Sequence, residues 1–194
     1  MVDRPDVLTL ADGTLAVVVR PYDPSWPDAF AALATVLRTA LVGRPADLHH
    51  IGSTAVPGLA AKPRLDVQVS VPDLAAADQC LVLLAGGPLG LARSPGNTDR
   101  RKRFLSSSDP VPVNVHVRVR GEFSQQAALL LRDYLRADDA ARDRYAGVKQ
   151  RLAGRAWVSV DAYADAKGDV VWALLREADR WAAGIGWTPP PSDA

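Results

Sequence analysis

The segment Val111-Pro112-Val113-Asn114-Val115-His116-Val117-Arg118-Val119 carries valine at every odd position. Successive side chains of a β-strand point to opposite faces, so the valines pack inward while Asn114, His116 and Arg118 share the other face. Arg64-Leu65-Asp66-Val67-Gln68-Val69 repeats the pattern, with Leu65, Val67 and Val69 inward and Arg64, Asp66 and Gln68 outward. A solvated face is the ordinary account of one such strand. Two of them beside a Gly-Ser turn point to a site instead, provided they are neighbours in one sheet. His116 is then the candidate acid or base, because imidazole titrates near neutrality. Asp66 is a base or a metal ligand, with Gln68 beside it at the reacting centre.

Anion-binding groups surround this pair of strands in the sequence. His49-His50-Ile51-Gly52-Ser53-Thr54 ends in a turn where Gly52 permits close approach and free backbone N–H groups near Ser53 accept a phosphate or carboxylate. Lys62 follows shortly. Arg100-Arg101-Lys102-Arg103 is the one dense basic run, with Arg101 and Arg103 on the same face of a strand. Charges that protect an edge strand explain it in the ordinary way; an anion clamp is the sharper reading. Tyr145/Lys149 and Tyr163/Lys167 are spaced as pairs on one helix face, and their lysines can reach over the sheet to a phosphate. Arg132 and Arg136 also share a face. His49, His50, His116 and Asp66 are of types that hold a transition metal. Adjacent His49 and His50 point oppositely on a strand, so at most one of them joins His116.

These groups need elements to position them. Val7–Leu10, Asp12-Gly13 and Leu15–Val19 read as a β-hairpin whose turn places both central residues at positive φ. A helix starts at Asp23 or Ser25 and buries Phe30, Leu33, Leu37, Ala40 and Leu41. A strand over Asp47–Ile51, a strand over Arg64–Val69 and a helix over Leu74–Leu84 follow. Further strands are expected near Leu89–Leu91, Arg101–Leu105 and Val111–Val119. From Phe123 onward the pattern is helical, with stripes at Leu129–Leu135, at Tyr145/Val148/Leu152, and at Val171/Leu174/Leu175/Ala178/Trp181. The whole of residues 1–194 reads as one α/β domain with an N-terminal hairpin (1–16) and a frayed tail (187–194).

The bulk properties exclude more than they identify. With 194 residues, 48% hydrophobic and 23% charged, the chain can bury a core and is neither disordered nor fibrous. Its 23 basic and 22 acidic residues leave a net charge of +1, short of the bias of a dedicated nucleic-acid binder. A lone cysteine, Cys80, builds neither a disulfide framework nor a cysteine zinc site. No signal-peptide pattern or membrane-spanning stretch is visible, so a cytoplasmic location and no membrane partner are expected.

The run His50-Ile51-Gly52-Ser53-Thr54-Ala55-Val56-Pro57-Gly58-Leu59, followed by Lys62-Pro63 and Asp66-Val67, resembles the GrpB family of the nucleotidyltransferase superfamily. Arg101 with Phe104, the strand around His116, Arg132-Asp133-Tyr134-Leu135-Arg136, Tyr145 with Lys149, and Tyr163 with Lys167 extend the resemblance over roughly residues 17–178. It implies a nucleotidyltransferase-like mixed sheet with flanking and C-terminal helices. In that superfamily a Gly-Ser turn holds nucleotide phosphates, and three carboxylates bind two Mg²⁺ ions for in-line displacement. Gly52 and Ser53 match the turn and Asp66 the first carboxylate. Gln68 stands at the second, and the later strand offers Asn114, His116 and Arg118 in place of the third. Mg²⁺ favours anionic oxygen, so this departure puts the two-metal reaction in doubt.

The leading expectation is a protein that binds a phosphorylated or otherwise anionic small molecule. Gly52, Ser53, Lys62, Arg101, Arg103, Asn114, Arg118, Arg132 and Lys149 form the binding set, and Asp66, Gln68 and His116 the reacting centre. Retention of the superfamily's reaction would mean nucleotidyl transfer from NTP–Mg²⁺, with Asp66 as the metal ligand. The alternatives are a ligand- or RNA-binding module that lost the metals, or an enzyme turned to other chemistry through His116 and Asp66.

Overall fold

The computed structural model describes residues 6–93 and 103–194. Its elements are β1 (Val7–Thr9), β2 (Leu15–Val17), α1 (Trp26–Ala40), β3 (Asp47–Ile51), β4 (Leu65–Val71), α2 (Leu74–Leu84), β5 (Ala92–Arg93), β6 (Arg103–Ser107), β7 (Val113–Val119), α3 (Phe123–Ala137), α4 (Asp139–Ala153), β8 (Ala156–Trp157), α5 (Val160–Asp165) and α6 (Gly168–Ile185). Five strands form a mixed sheet in the order β3-β4-β7-β6-β5. Strands β4 and β7 are parallel, and the other pairs are antiparallel. The sheet and its flanking helices make a mixed α/β arrangement, as expected.

The two polar strands are neighbours. Asp66 lies opposite Asn114, Gln68 opposite His116 and Ser70 opposite Arg118. On the other face Val67, Val69, Val115 and Val117 are fully buried against Phe30, Leu33 and Leu37 of α1 and Cys80, Leu81 and Leu84 of α2. That burial orients the sheet, because each valine contributes about 1.5–3 kcal/mol when removed from water. Helix α1 starts as expected, at Ser25, with Pro27 in its first turn. Ala34 occupies the buried stripe and Ala40 is exposed, which corrects the apolar face assigned to it.

Helix α3 crosses the polar face of the sheet. With α4 and α6 it encloses a second core of Val56, Leu59, Tyr134, Leu135, Tyr145, Leu174 and Ala178. A third cluster of Val17, Leu152 and Tyr163 joins the hairpin to α4 and α5. Strand β8, unforeseen in the sequence, adds to β2 to give a small sheet β1-β2-β8. The hairpin has a longer turn than expected. Gly13, at φ 82°, is its left-handed residue, while Asp12 stays at negative φ and accepts the Thr14 N–H at 2.9 Å. The segment expected as a strand near Leu89–Leu91 instead makes a 3₁₀ turn over Gly87–Leu89 before β5.

The C-terminal residues also depart from expectation. Rather than fraying, the tail lies along the open edge of β3. Asp193 N–H donates to the Leu48 carbonyl at 2.9 Å, and the Leu48 N–H donates to Ser192 Oγ at 2.9 Å. The Asp193 carboxylate accepts from the His50 N–H at 2.9 Å and from buried Arg132 at 2.6 Å. Trp187 Nε1 donates to Asp133 of α3 at 3.0 Å. Covering an edge strand satisfies backbone groups that would otherwise template aggregation.

Arg64, expected on the outward face with Asp66, stands just before β4 and is buried. Its guanidinium meets the Asp6 carboxylate at 3.0 and 3.3 Å and donates to the Ser107 and Val113 carbonyls and to Ser108 Oγ. Asp6 is itself fully buried. Removing one member of such a pair leaves an uncompensated buried charge, which costs about 3–5 kcal/mol. Asp6→Ala is therefore expected to lower the unfolding free energy from urea denaturation by about 3–5 kcal/mol, seen as a lower midpoint at unchanged slope. A loss below about 1 kcal/mol would show that the pair does not secure the hairpin.

Candidate functional site

Strand β3 ends at Ile51, directly opposite Asp66, and the chain then turns through Gly52 at φ +71° into a 3₁₀ turn over Ser53–Ala55. A Cβ built on Gly52 would lie 2.5 Å from Asp66 Oδ2. Only glycine combines that backbone conformation with so close an approach. Asp66 Oδ1 accepts the Asn114 amide at 2.8 Å and lies 3.6 Å from His116 Nε2. Burial pushes the Asp66 carboxyl up, but His116, Asn114 and Lys62 outweigh it and hold the group below its ordinary value. The His116 ring packs against Phe104 of β6 with centroids 5.0 Å apart.

Two cavities meet at Ser53 and Asp66. The larger, about 220 Å³, lies under α3 and α4 and is lined by Ile51, Leu131, Leu135, Tyr145 and His116 among others. The smaller, about 60 Å³, is lined by Lys62, Lys149, Lys167, Arg64, Asn114 and Tyr163. Asp6 pairs with Arg64 and also lies 3.7 Å from Lys62 Nζ, so Arg64 and the three lysines are set against two carboxylates, Asp6 and Asp66. Lys149 Nζ reaches Ser53 Oγ at 2.9 Å and packs over the Tyr145 ring at 4.7 Å. Burial, then repulsion from Lys167, pushes Lys149 down to about 7; burial, then Lys62, pushes Lys167 down to about 8.

The structure thus brings Gly52, Ser53, Lys62, Asp66, Asn114, His116 and Lys149 together. It separates the others. Gln68 is fully buried beneath α3, its carbonyl accepting from Arg118 at 2.7 Å and its amide donating to the Gln125 carbonyl at 3.2 Å. Arg118 is spent on Gln68 and the Ser124 carbonyl, and lines neither cavity. Arg132 borders the larger cavity, but its hydrogen bonds go to the His50 carbonyl, Asp133 and Asp193. Arg103 shares the face of Val117, opposite the site, and is paired with Asp78 of α2. Arg101 lies outside the described residues.

The histidine side chains are placed apart from one another. His50 stacks on Phe30 in the core and donates to or accepts from Thr54 Oγ1 at 3.0 Å. Burial pushes it down to about 4. His49 is buried beside Asp193. Among the described residues no group of three His, Cys, Asp or Glu is placed to hold a metal ion. The residues present do not fit a two-Mg²⁺ centre either: among the described residues Asp66 is the one carboxylate lining the two cavities, Asn114 presents its amide N–H to it, and the Gln68 amide is turned into the protein.

Lys167 was legible only as half of a Tyr163/Lys167 pair. The two do not share a helix, because α5 ends at Asp165 and Lys167 caps α6. The break turns Lys167 back over the Tyr163 ring at 4.6 Å, toward the smaller cavity.

The family model described as GrpB protein matches residues 16–177. The chain belongs to the GrpB family. The crystal structure of the conserved protein GrpB from Enterococcus faecalis superposes with a TM-score of 0.71 at 26% identity, covering 84% of this chain and 99% of that one. A UPF0157 protein of Streptomyces coelicolor is 37% identical over 180 residues, 90% of this chain and 93% of the relative. A dephospho-CoA kinase of Mycolicibacterium paratuberculosis is 37% identical over 193 residues, covering 87% of this chain and 47% of the kinase. The GrpB match contains the Gly-Ser turn, both polar strands and all three cavity lysines. No helix among the described residues is long and apolar enough to cross a membrane.

Gly52 gives the sharpest test of this geometry. Gly52→Ala must distort the turn and displace Asp66, at a cost of about 1–3 kcal/mol. Thermal denaturation should show that loss, and Asp66→Gly in the same chain should recover the part due to the clash. Wild-type stability in Gly52→Ala would mean that Asp66 is not held against the turn.

Proposed function

We propose that the cleft binds a phosphorylated small molecule, with its phosphoryl group in the lysine-lined cavity and an apolar or ring-bearing body in the larger one. The convergence of Lys62, Lys149 and Lys167 on a cavity of about 60 Å³ beside the Gly52-Ser53 turn carries this reading. Like charges are expensive to hold together away from water, and a dianion at their centre removes that cost. Ser53 adds a hydroxyl, and Asn114 holds Asp66 in place. The larger cavity, walled by Ile51, Leu131, Leu135 and Tyr145, suits an uncharged body of modest size.

The Asp66–His116 pair stands where the two parts of such a ligand join. Asp66 held ionised beside an imidazole is an arrangement for moving a proton at that junction. Nucleotidyl transfer through two Mg²⁺ ions has weaker support, because among the described residues no second or third carboxylate joins Asp66 in a metal-binding group.

Sulfate is a suitable probe, since it remains a dianion across the useful pH range. The lysines bind it in their charged forms, which prevail below their folded-state values of about 7 for Lys149 and about 8 for Lys167. Titration calorimetry should therefore show the tightest binding near pH 6 and progressive weakening as pH rises through 7 and 8. Affinity independent of pH over that window would sink the lysine-site reading.

Asp66→Asn separates the metal-free site from a metal-dependent one. Removing a like charge next to the anion should tighten metal-free sulfate binding, by about tenfold for a charge within several ångströms. For ATP measured with and without Mg²⁺, binding that requires Mg²⁺ and vanishes in Asp66→Asn would instead restore the nucleotidyl-transfer reading.

A further inference from the structure

The contact between Ser53 and Lys149 is closer to chemistry than anion binding requires. Lys149 is 3% exposed, and among the described residues no carboxylate is paired with it. Its Nζ touches two groups, Ser53 Oγ and the Ala60 carbonyl. Nζ donates to both; after losing a proton it keeps an N–H for Ala60 and can accept the Ser53 hydroxyl on its lone pair. Tyr145, on the same helix, also hydrogen-bonds Ser53. The charged and titratable groups facing Lys149 are Tyr145 from α4, Asp66 from β4, Lys62 and Arg64 from the segment before it, Tyr163 from α5 and Lys167 at the start of α6.

We propose that Ser53 and Lys149 form a nucleophile–base pair through which the protein accepts a phosphoryl group from a small phosphoanhydride onto Ser53. This rests on the reading of the cleft as a phosphate site. The geometry is that of an activated hydroxyl: base within hydrogen-bond reach, both groups on the wall of the cationic cavity, and Ser53 at its mouth. Lys149 takes the hydroxyl proton as the Oγ–P bond forms. The bridging P–O bond then breaks, and its electron pair leaves on the departing oxygen. Lys62 and Lys167 stay charged and hold the phosphoryl oxygens. A carboxylate or phosphate leaves as a stable anion and needs no proton, so the step closes with groups present in the cleft. This selects acyl phosphates and polyphosphates over phosphate esters, whose alkoxide would have to be protonated. The larger cavity receives the leaving group.

Acetyl phosphate is the probe. Intact-mass measurement of the full chain, without added metal, should show one added phosphoryl group, mapped by peptide sequencing to Ser53. Ser53→Ala should gain none. Lys149→Met, which preserves length and apolar packing, should label about a hundredfold more slowly. The wild-type rate should rise with pH as Lys149 loses its proton near 7 and fall when Lys167 does so near 8. Thermal denaturation checks that both variants remain folded, and sulfate titration of the wild type reads the anion site independently of labelling. Sulfate binding without labelling of Ser53 overturns the nucleophile–base pair and leaves the phosphate-site reading standing. Failure of both overturns both. Phosphorylation at another residue, acetylation of lysines without a phosphoryl group on Ser53, or full-rate labelling of Lys149→Met each overturns the pair alone.

Discussion

The parallel register of β4 on β7 sets Asp66 against Asn114 and Gln68 against His116, and the remainder of the cleft is assembled around that pairing. A strand alternates its side chains with period two, so a slip of one residue would exchange the faces of a whole strand. The slip would bring Asp66 and Gln68 against α1 and α2 and turn Val67 and Val69 toward the cleft. Val67, Val69, Val113, Val115 and Val117 are fully buried, and exposing them would forfeit several kcal/mol. The polar face is therefore held in position by the hydrophobic demand of the opposite one. No polar interaction in the cleft has to be strong for its geometry to be well defined.

Helix α3 then divides the polar face into two chemically different halves. Beneath its N-terminal turns, Gln68, Ser70, Arg118 and Gln125 hydrogen-bond to one another and to backbone carbonyls. Buried polar groups that are fully occupied in this way fix the angle of a helix on a sheet and offer nothing to a ligand. Two residues back along β4, a rise of about 6.6 Å, Asp66 borders open cavities. The same helix carries Arg132, which ties the β3 edge to the tail through the His50 carbonyl and Asp193. Closure of the β3 edge and the roof of the cleft consequently depend on one element.

Local pattern made much of this legible in the sequence. Alternation at Leu65–Val69 and Val113–Val119 identified both strands and their faces. The Gly52-Ser53 turn, the Asp47–Ile51 strand and the Leu74–Leu84 helix were readable from turn chemistry and periodicity. What escaped were consequences of distance in sequence. Gln68 and Arg118 have the same alternation as Asp66 and His116, and nothing local says that a helix from residue 123 onward will cover them. Arg103 faces Asp78 because β6 pairs with β7 in a register that sets Arg103 against Val117, on the core side. Tyr163 and Lys167 have helical spacing, yet a helix break between them redirects the lysine. The tail contains Pro189-Pro190-Pro191, which reads as irregular; its docking comes from Ser192 and Asp193 finding unpaired groups of β3 144 and 143 residues away.

The three lysines invert the electrostatics that a two-metal site would have. Carboxylates gathered around divalent cations make a cluster that is neutral only when the metal is bound. Here Arg64 and three lysines outnumber the carboxylates Asp6 and Asp66, so the cluster approaches neutrality when an anion is bound. Burial first, and then repulsion from a neighbouring lysine, pushes Lys149 and Lys167 down toward neutral pH. Lys149 and Lys167 therefore lose their protons far more readily than a solvated lysine. A charged lysine attracts an anion and a neutral one accepts a proton, and a fully solvated lysine at neutral pH can do only the first. Lys149, the more deeply buried of the two, is the one in contact with a hydroxyl, so the group most ready to lose its proton is placed against the group most able to supply one.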